Sequence, residues 1–206
     1  CIYATLAACA FDRKKSVAWW NFAAVIQFGF WGLFRPKELL GLRRREVRVP
    51  GARSLLSANV AIASITDPKN RAFMGRQQVR AVRDADAVAW MVWLTKDMEA
   101  DERIWGLSAY TFRRLLAQSL SFLGLPHLHL TSASLRAGGA TTMLENGVSI
   151  SSIRFAGCWA SEKAMSAYLQ EAESAATLLD IDPHAAQKLE GLLRDVSPCL
   201  RPPAVS

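Results

Sequence analysis

Eighteen consecutive residues without a charge, from Val17 to Phe34, constrain the fold more than any other feature of this sequence. A run of this length is either a short membrane span or a helix that other parts of the protein surround. Asn21 and Gln27 interrupt the run, basic residues flank both of its ends, and no second run of this kind follows. We therefore predict a buried central helix. The alternative is a membrane-associated helical protein whose arginines face anionic lipid.

The net charge is concentrated in the first quarter of the chain. The 206 residues carry 25 Lys and Arg against 18 Asp and Glu, a formal net charge of +7. Ten of the basic residues lie at or before Arg53, where Asp12, Glu38 and Glu46 oppose them, and the other fifteen basic and fifteen acidic residues balance. Such an uneven basic excess is typical of a protein with one face directed at a polyanion.

Cysteine usage argues against a disulfide scaffold and against a metal centre. Cys1, Cys9, Cys158 and Cys199 have neither the density of a disulfide-rich secreted domain nor the spacing of metal ligands. We therefore predict an intracellular protein without metal or cofactor.

Because the chain begins at Cys1, just before residues 4–11 that already read as a helix, we also expect a fragment whose N-terminal targeting signal cannot be read.

Helical periodicity dominates the chain, and residues that begin or end helices accompany it. Pro36 suits the first turn of a helix and places Arg35 at its entrance. Gly124 and Gly147 follow periodic stretches and indicate helix ends. The predicted helices cover residues 4–11, 17–34, a segment from residue 36, and residues 84–98, 108–123, 132–146, 149–156, 161 to about 179, and 183–194.

Between Glu46 and Arg83 the pattern changes to short alternating or β-branched stretches, at residues 47–49, 60–65 and 77–82. Turn residues separate them, at 50–51 and again at 67–70. We predict a small antiparallel sheet here. The fold class is therefore mainly α with a small antiparallel β-sheet, in a single domain over residues 1–196, followed by a mobile tail over residues 197–206.

Four residues could together carry chemistry on a phosphodiester: Arg35 in FRPKELLGL, Lys69 in a turn of the sheet, Arg136 in SLRAGGAT, and Tyr168. Singly, each is an ordinary helix-end arginine, turn lysine, helix arginine or half-buried aromatic residue. A tyrosine hydroxyl can attack a phosphodiester without a metal if other groups hold the charge of the pentacoordinate state. Two guanidinium groups suit this because each can bind two phosphate oxygens, and a lysine could protonate the leaving oxygen.

Taken in order, these motifs resemble the catalytic domain of the tyrosine recombinases, the phage-integrase family. The resemblance runs from about Val17 to Gln170. It comprises Arg-x-x-Glu-Leu, the sheet lysine, Leu-Arg-x-Gly-Gly-Ala-Thr at the start of a helix, and Gly-x-Trp with a Tyr nine residues after the Trp. It implies the fold of that DNA breaking and rejoining domain. It also implies strand transfer through a 3′-phosphotyrosyl intermediate, which conserves bond energy and needs no ATP.

The resemblance also implies roles for individual residues. Arg35 and Arg136 match the two catalytic arginines, and Glu38 matches the acidic residue that supports them. The roles of general acid, phosphate hydrogen-bond donor and nucleophile fall to Lys69, Trp159 and Tyr168.

One position departs from the family pattern, which has a His three residues before the second arginine. This chain has Ala133 there, and an alanine can neither accept a proton nor contact a phosphate through its side chain. His127 and His129 lie upstream, but a His beside leucines is more often packed, so neither is assigned. Gly138 and Gly139 fit close packing of a helix either on a neighbouring helix or on DNA, and the sequence does not separate the two.

Basic residues without a catalytic role form two groups that flank the predicted phosphate ligands. One possibility is an ordinary solvated face, and the other, which we favour, is a surface that follows the backbone of duplex DNA. The candidates are Arg43, Arg44, Arg45, Arg48 and Arg53 in the first group, and Arg71, Arg76, Arg80 and Arg83 in the second.

The sequence thus leads to two hypotheses about DNA and one about membranes. The first is a tyrosine recombinase or integrase domain, and the second is a DNA-binding relic of that domain in which Ala133 marks lost chemistry. In both, duplex DNA is the partner, with no membrane and no small-molecule substrate. The resemblance implies a homo-tetramer on DNA and an intracellular location with DNA, in the nucleus of a eukaryote or the cytoplasm of a bacterium. The membrane-associated protein is the third.

Overall fold

The computed structural model describes residues 17–51, 59–69, 71–75, 77–128, 130–169 and 181–196. Several predictions from the sequence lie outside these residues: the helix at residues 4–11, the tail from residue 197, the helix continuation over residues 171–179, and the positions of Arg53, Arg76 and His129.

The uncharged run forms the central helix α1, Val17–Trp31, which is buried from Phe22 to Gly29. The later helices that it packs against include α4, Ala85–Thr95; α5, Ala109–Phe122; and α6, Ser134–Glu145. The prediction of a buried central helix is confirmed. Among the described residues, no helix is both long enough and apolar enough to cross a membrane.

The remaining predicted helices begin within one residue of their predicted starts. They are α2, Pro36–Gly41; α7, Ile150–Gly157; α8, Glu162–Ser166; and α9, Pro183–Val196. The side chains of Asp84, Ser108, Ser149 and Ser161 each accept a hydrogen bond from a backbone N–H of the first turn that follows. Gly124 and Gly147 have φ of 76° and 77°, as expected of glycines that end helices.

The predicted sheet has three antiparallel strands in the order β1, Val47–Arg48; β2, Ala61–Ile65; and β3, Gln78–Val82. The β2–β3 register pairs Ala63 with Arg80 and Ile65 with Gln78. Together with the helices, this confirms the coarse fold class, mainly helical with one small antiparallel sheet.

The link between β2 and β3 contains a short helix that the sequence did not predict. Turn residues at 67–69 lead into α3, Arg71–Met74, whose first backbone N–H donates to the Pro68 carbonyl at 3.1 Å. Gly75 follows with φ of 86°. The predicted turn is present at residues 67–69, and the helical turn after it was not predicted.

The long helix predicted from Ser161 through Tyr168 is wrong in its length. Helix α8 ends at Ser166, and the Tyr168 N–H donates to the Met165 carbonyl at 2.7 Å in a tighter turn. Tyr168 and Leu169 pack against a small buried cluster at this end of the molecule, so tertiary contacts override the helical preference of the local sequence. The nucleophile candidate therefore lies in a turn after a helix.

Two clusters of buried side chains organise the described residues. The larger one is built on α1, the sheet, α4 and α5. The smaller one, called here the second cluster, joins Leu33 to Ala140, Ile153, Trp159 and Met165. The second cluster thus carries Trp159 in its interior and Tyr168 at its edge.

Glycines 138 and 139 let α6 approach α1 closely. A Cβ at Gly139 would lie 2.2 Å from the Phe30 carbonyl oxygen and 2.8 Å from Leu33 Cδ2. At Gly138 the nearest atom is on the Phe30 ring, 3.2 Å away. Of the two readings left open by the sequence, helix packing therefore accounts for Gly139.

Replacing Gly139 by Ala should lower the free energy of unfolding by about 2 kcal/mol, because the new methyl group meets backbone that cannot move alone. The Gly138→Ala variant is the matched control, since it gains the same helix propensity, about 1 kcal/mol, and meets only a movable ring. Urea denaturation of both variants makes the comparison. Equal stabilities would contradict the packing role of Gly139.

Candidate functional site

Arg35 and Glu38 are fixed to each other at the start of α2. Arg35 is the N-cap residue and Pro36 follows it as the first helical residue. Glu38 accepts hydrogen bonds from the Arg35 backbone N–H at 3.1 Å and from Arg35 Nη1 at 2.6 Å. The Glu38 side chain is 5% exposed and that of Arg35 is 20% exposed. Glu38, which the resemblance gives a supporting role, therefore forms an ion pair with Arg35 and sets the direction of its guanidinium.

Arg80 lies behind this pair, in the interior of the protein. Its Nη2 is 3.6 Å from Glu38 Oε2, and its Nη1 donates to the Ala156 carbonyl at 3.5 Å. Its side chain is wholly buried. The prediction that Arg80 follows a DNA backbone on the surface is therefore corrected, because a buried guanidinium cannot contact a duplex from outside. Arg80 instead becomes a neighbour of the candidate site that sequence reasoning did not place there.

Arg136 reaches the same region from α6. Its Nη1 donates to the Leu33 carbonyl and its Nη2 donates to the Gly157 carbonyl at 2.9 Å. The guanidinium carbon lies 3.8 Å from the centroid of the Trp159 ring, a cation–π distance. Arg136 is only 1% exposed. Its position is thus held by the segment just after α1, by the last residue of α7 and by an aromatic ring.

Trp159 and Tyr168 cover the Arg136 guanidinium. Cys158 ends α7 in the left-handed region, with φ of 50°, and this turns the chain so that Trp159 folds back over Gly157. The Trp159 and Tyr168 ring centroids are 5.5 Å apart, and the Tyr168 centroid is 5.5 Å from the Arg136 guanidinium carbon. Tyr168 is half-buried. Both rings therefore lie against the Arg136 guanidinium, and the Tyr168 side chain is partly exposed to solvent.

The resulting group of residues, called here the arginine cluster, consists of Arg35, Glu38, Arg80 and Arg136. Glu38 contacts Arg35 and Arg80, and Arg136 lies within electrostatic range of all three. Three guanidinium groups and one carboxylate give the cluster a formal charge of +2. Burial, together with the charges of Arg35 and Arg80, lowers the pKa of Arg136 to about 9, against the opposing effect of Glu38 and Tyr168. Burial is the largest of these causes, and the two neighbouring guanidinium groups add to it.

Unused hydrogen-bond donors accompany this excess charge. Among the buried side-chain atoms of the described residues, Arg80 Nε, Arg136 Nε and Trp159 Nε1 have no hydrogen-bond partner. Buried donors are normally satisfied, so unsatisfied ones beside a net positive charge are suited to an anion with several oxygens. Elsewhere in the described part of the chain, no group of three or more His, Cys, Asp or Glu side chains could hold a metal ion.

Two predicted positions lie apart from the arginine cluster. Lys69 is exposed in the turn after β2, and within the described residues no hydrogen bond or ion pair joins it to the cluster. Ala133 is exposed immediately before α6, one turn ahead of Arg136, whose backbone N–H donates to the Ala133 carbonyl at 3.1 Å. His127 is exposed in a short 3-10 turn, Pro126–Leu128, and remains unassigned.

The basic run after α2 is mostly tied to the loop that follows α4. Arg43 Nη1 donates to the Asp101 carbonyl at 2.6 Å, and Arg44 donates to the Thr95 and Val47 carbonyls at 2.9 and 2.8 Å. Arg45 pairs with the Asp101 carboxylate, with both side chains more than half exposed. These contacts join the segment after α2 to the end of α4 and the loop that follows it. Of the three arginines, only Arg45 keeps a largely exposed side chain.

Arg71 lies at the other end of the sheet and pairs with Asp67 across one turn, with both side chains well exposed. An exposed pair of this kind adds little to stability and exchanges readily with solvent or another anion. The Arg71 side chain therefore remains accessible to an anion from solvent.

No protein-family model matches this sequence, and the search of curated proteins found no match.

Proposed function

We propose that this chain is a DNA breaking and rejoining domain with the tyrosine-recombinase fold, in which Tyr168 is the nucleophile. One observation carries the proposal. Arg35, Arg136 and Tyr168 come from three separated segments of the sequence and lie around one buried, positively charged cluster that has unused N–H donors. A phosphodiester oxygen is the ligand that such a set of donors suits best.

In the proposed reaction, the Tyr168 hydroxyl oxygen attacks a backbone phosphorus atom and the bond from phosphorus to the 5′ oxygen breaks. The tyrosine proton passes to water, because Ala133 offers no base. Lys69 protonates the leaving 5′ oxygen, which requires the exposed turn at residues 66–69 to approach when DNA binds. Arg35 and Arg136 hold the non-bridging oxygens, and Trp159 Nε1 donates to one of them. The reverse attack by a 5′ hydroxyl rejoins the strand.

The proposed partner is duplex DNA. The candidate backbone contacts with exposed side chains are Arg45, Arg48, Arg71 and Arg83, and Lys69 lies near Arg71 in the sequence. By the same resemblance we propose a homo-tetramer on DNA and an intracellular location with DNA. Contacts of this kind predict binding that weakens steeply with salt.

A suicide-substrate assay tests the proposal without knowledge of the target site. The substrate is a pool of random-sequence duplexes with sulfur in place of the bridging 5′ oxygen, so that the leaving group cannot rejoin. A band of reduced mobility on a denaturing gel, destroyed by protease, is the expected result. Salt-sensitive retention on a native gel without this band would contradict the catalytic proposal and favour the relic.

The relic is the second candidate because of one observation, the exposed alanine that precedes Arg136. It would bind duplex DNA without forming a covalent bond.

Replacing Ala133 by His should raise the single-turnover rate of adduct formation by about 10²-fold, since it supplies a group that can accept or pass a proton. The position is exposed, so the larger side chain fits without displacing a packed residue. Ala133→Gln is the control for size and polarity. A rate equal to that of the control would show that proton transfer at this position does not limit the reaction.

A further inference from the structure

The role of Arg80 follows from the charges and contacts around it. Without Arg80 the cluster would hold Arg35, Arg136 and Glu38, with a formal charge of +1. With Arg80 the charge is +2. A phosphodiester carries one negative charge, and the pentacoordinate state formed when an oxygen nucleophile adds to it carries two. The charge of the cluster therefore matches the charge of the pentacoordinate state better than it matches the charge of the substrate.

The polar contacts of Arg80 are too long to offset the cost of burying its charge by themselves. Its three polar contacts, to Glu38, Gln78 and Ala156, lie between 3.4 and 3.6 Å, and its Nε has no partner among the described residues. A guanidinium placed only for structure would be expected to form shorter bonds, because burying a charge is costly. Arg80 also acts on Arg136, since the charge of Arg80 is one cause of the lowered pKa of Arg136.

We propose that Arg80 is a positioning residue of the anion site, which holds Glu38 from the buried side and sets the charge of the cluster so that doubly charged phosphate is preferred to singly charged phosphate. This rests on the proposed function, because it assumes that the cluster binds the phosphate of DNA. Arg80 acts through its own charge and through Glu38, which in turn orients Arg35.

Small anions of different charge test this without DNA. Phenyl phosphate is mostly a dianion at about pH 7.5, and methyl phenyl phosphate, nearly the same size, is a monoanion. Titration calorimetry gives the dissociation constant of each for the full chain. We expect the dianion to bind more tightly, and we expect Arg80→Met to reduce this preference about tenfold while Arg80→Lys retains it within about threefold. A purely structural role would weaken both ligands equally.

The double variant Glu38→Gln with Arg80→Met returns the cluster to a charge of +2, and it should recover most of the preference for the dianion. If Arg80→Met alone does not fold, the comparison is between Glu38→Gln and this double variant, and removal of Arg80 should again lower the preference about tenfold. A preference unchanged by loss of Arg80, in either background, would overturn the inference.

The outcomes also separate this inference from the proposed function. If the wild-type chain binds neither anion, the phosphate site fails and the inference falls with it. If it binds the dianion preferentially through Arg80 but forms no adduct with DNA, the inference stands and the catalytic part of the proposed function fails.

Discussion

Replacing Arg136 by Met should reduce the rate of covalent adduct formation by about 10³-fold or more, the usual loss when a guanidinium that holds transition-state charge is removed. The fold should tolerate the change. Met fills most of the volume beneath Trp159 and also removes a buried cation whose pKa is lowered to about 9 by burial and by Arg35 and Arg80. Removal of the buried charge offsets part of the cost, but the Leu33 and Gly157 carbonyls lose their donor, so we expect a loss of about 2 to 3 kcal/mol in the free energy of unfolding.

Rapid-quench single-turnover kinetics and urea denaturation measure the two effects separately. Arg114→Met is the matched control, because Arg114 is exposed on α5, away from the cluster. We expect this control to react at the wild-type rate. A rate for Arg136→Met within about tenfold of the wild type, in a folded protein, would remove Arg136 from the proposed chemistry.

Replacing Tyr168 by Phe should abolish the adduct, because no other group is proposed to take the place of the hydroxyl. The substitution removes one oxygen and leaves the ring that lies on Trp159 and Arg136. Stability and salt-dependent retention of DNA should therefore stay at wild-type values. Tyr110→Phe, at a tyrosine that is 66% exposed on α5, is the matched control and should leave the adduct unchanged. Adduct formation by the Tyr168→Phe variant would exclude Tyr168 as the nucleophile.

Much of the helical framework could be predicted because its signals are local. A Ser or Asp before a periodic stretch can accept a hydrogen bond from the first turn, as Ser108 and Ser149 do. A glycine after the stretch can adopt a positive φ, as Gly124 does. The same holds at the first arginine, where Pro36 and Glu38 define a helix start within four residues.

The burial of Arg80 could not be predicted in the same way. A strand has two faces, and β3 has apolar residues on both of them. Val79 and Val82 lie on opposite faces of β3, and the structure exposes Val79 by 55% while Val82 is fully buried. Counting by two from Val82, which leads into the buried helix α4, would have placed Arg80 inside. The alternation along β3 therefore indicates which residues are buried only once Val82 has been assigned to the buried face.

Tyr168 shows a second limit, since the sequence after Ser161 favours a longer helix than the structure contains. What ends α8 is the packing of the following residues on the second cluster, and that cluster is assembled from parts of the chain more than 100 residues apart, such as Leu33 and Trp159. Likewise, the anchoring of Arg43 and Arg44 to carbonyls of residues 95–101 depends on a contact between distant segments. Local patterns carry no information on such contacts.

Identification of the residue that carries DNA tests the central claim most directly. The adduct from the suicide substrate is digested with nuclease and trypsin, and the peptides are sequenced by mass spectrometry. Cleavage after Lys163 and Lys188 releases residues 164–188, in which Tyr168 is the one tyrosine. The account predicts a nucleotide attached through phosphate to Tyr168. A nucleotide on Tyr110, on a serine or on any other peptide would contradict it.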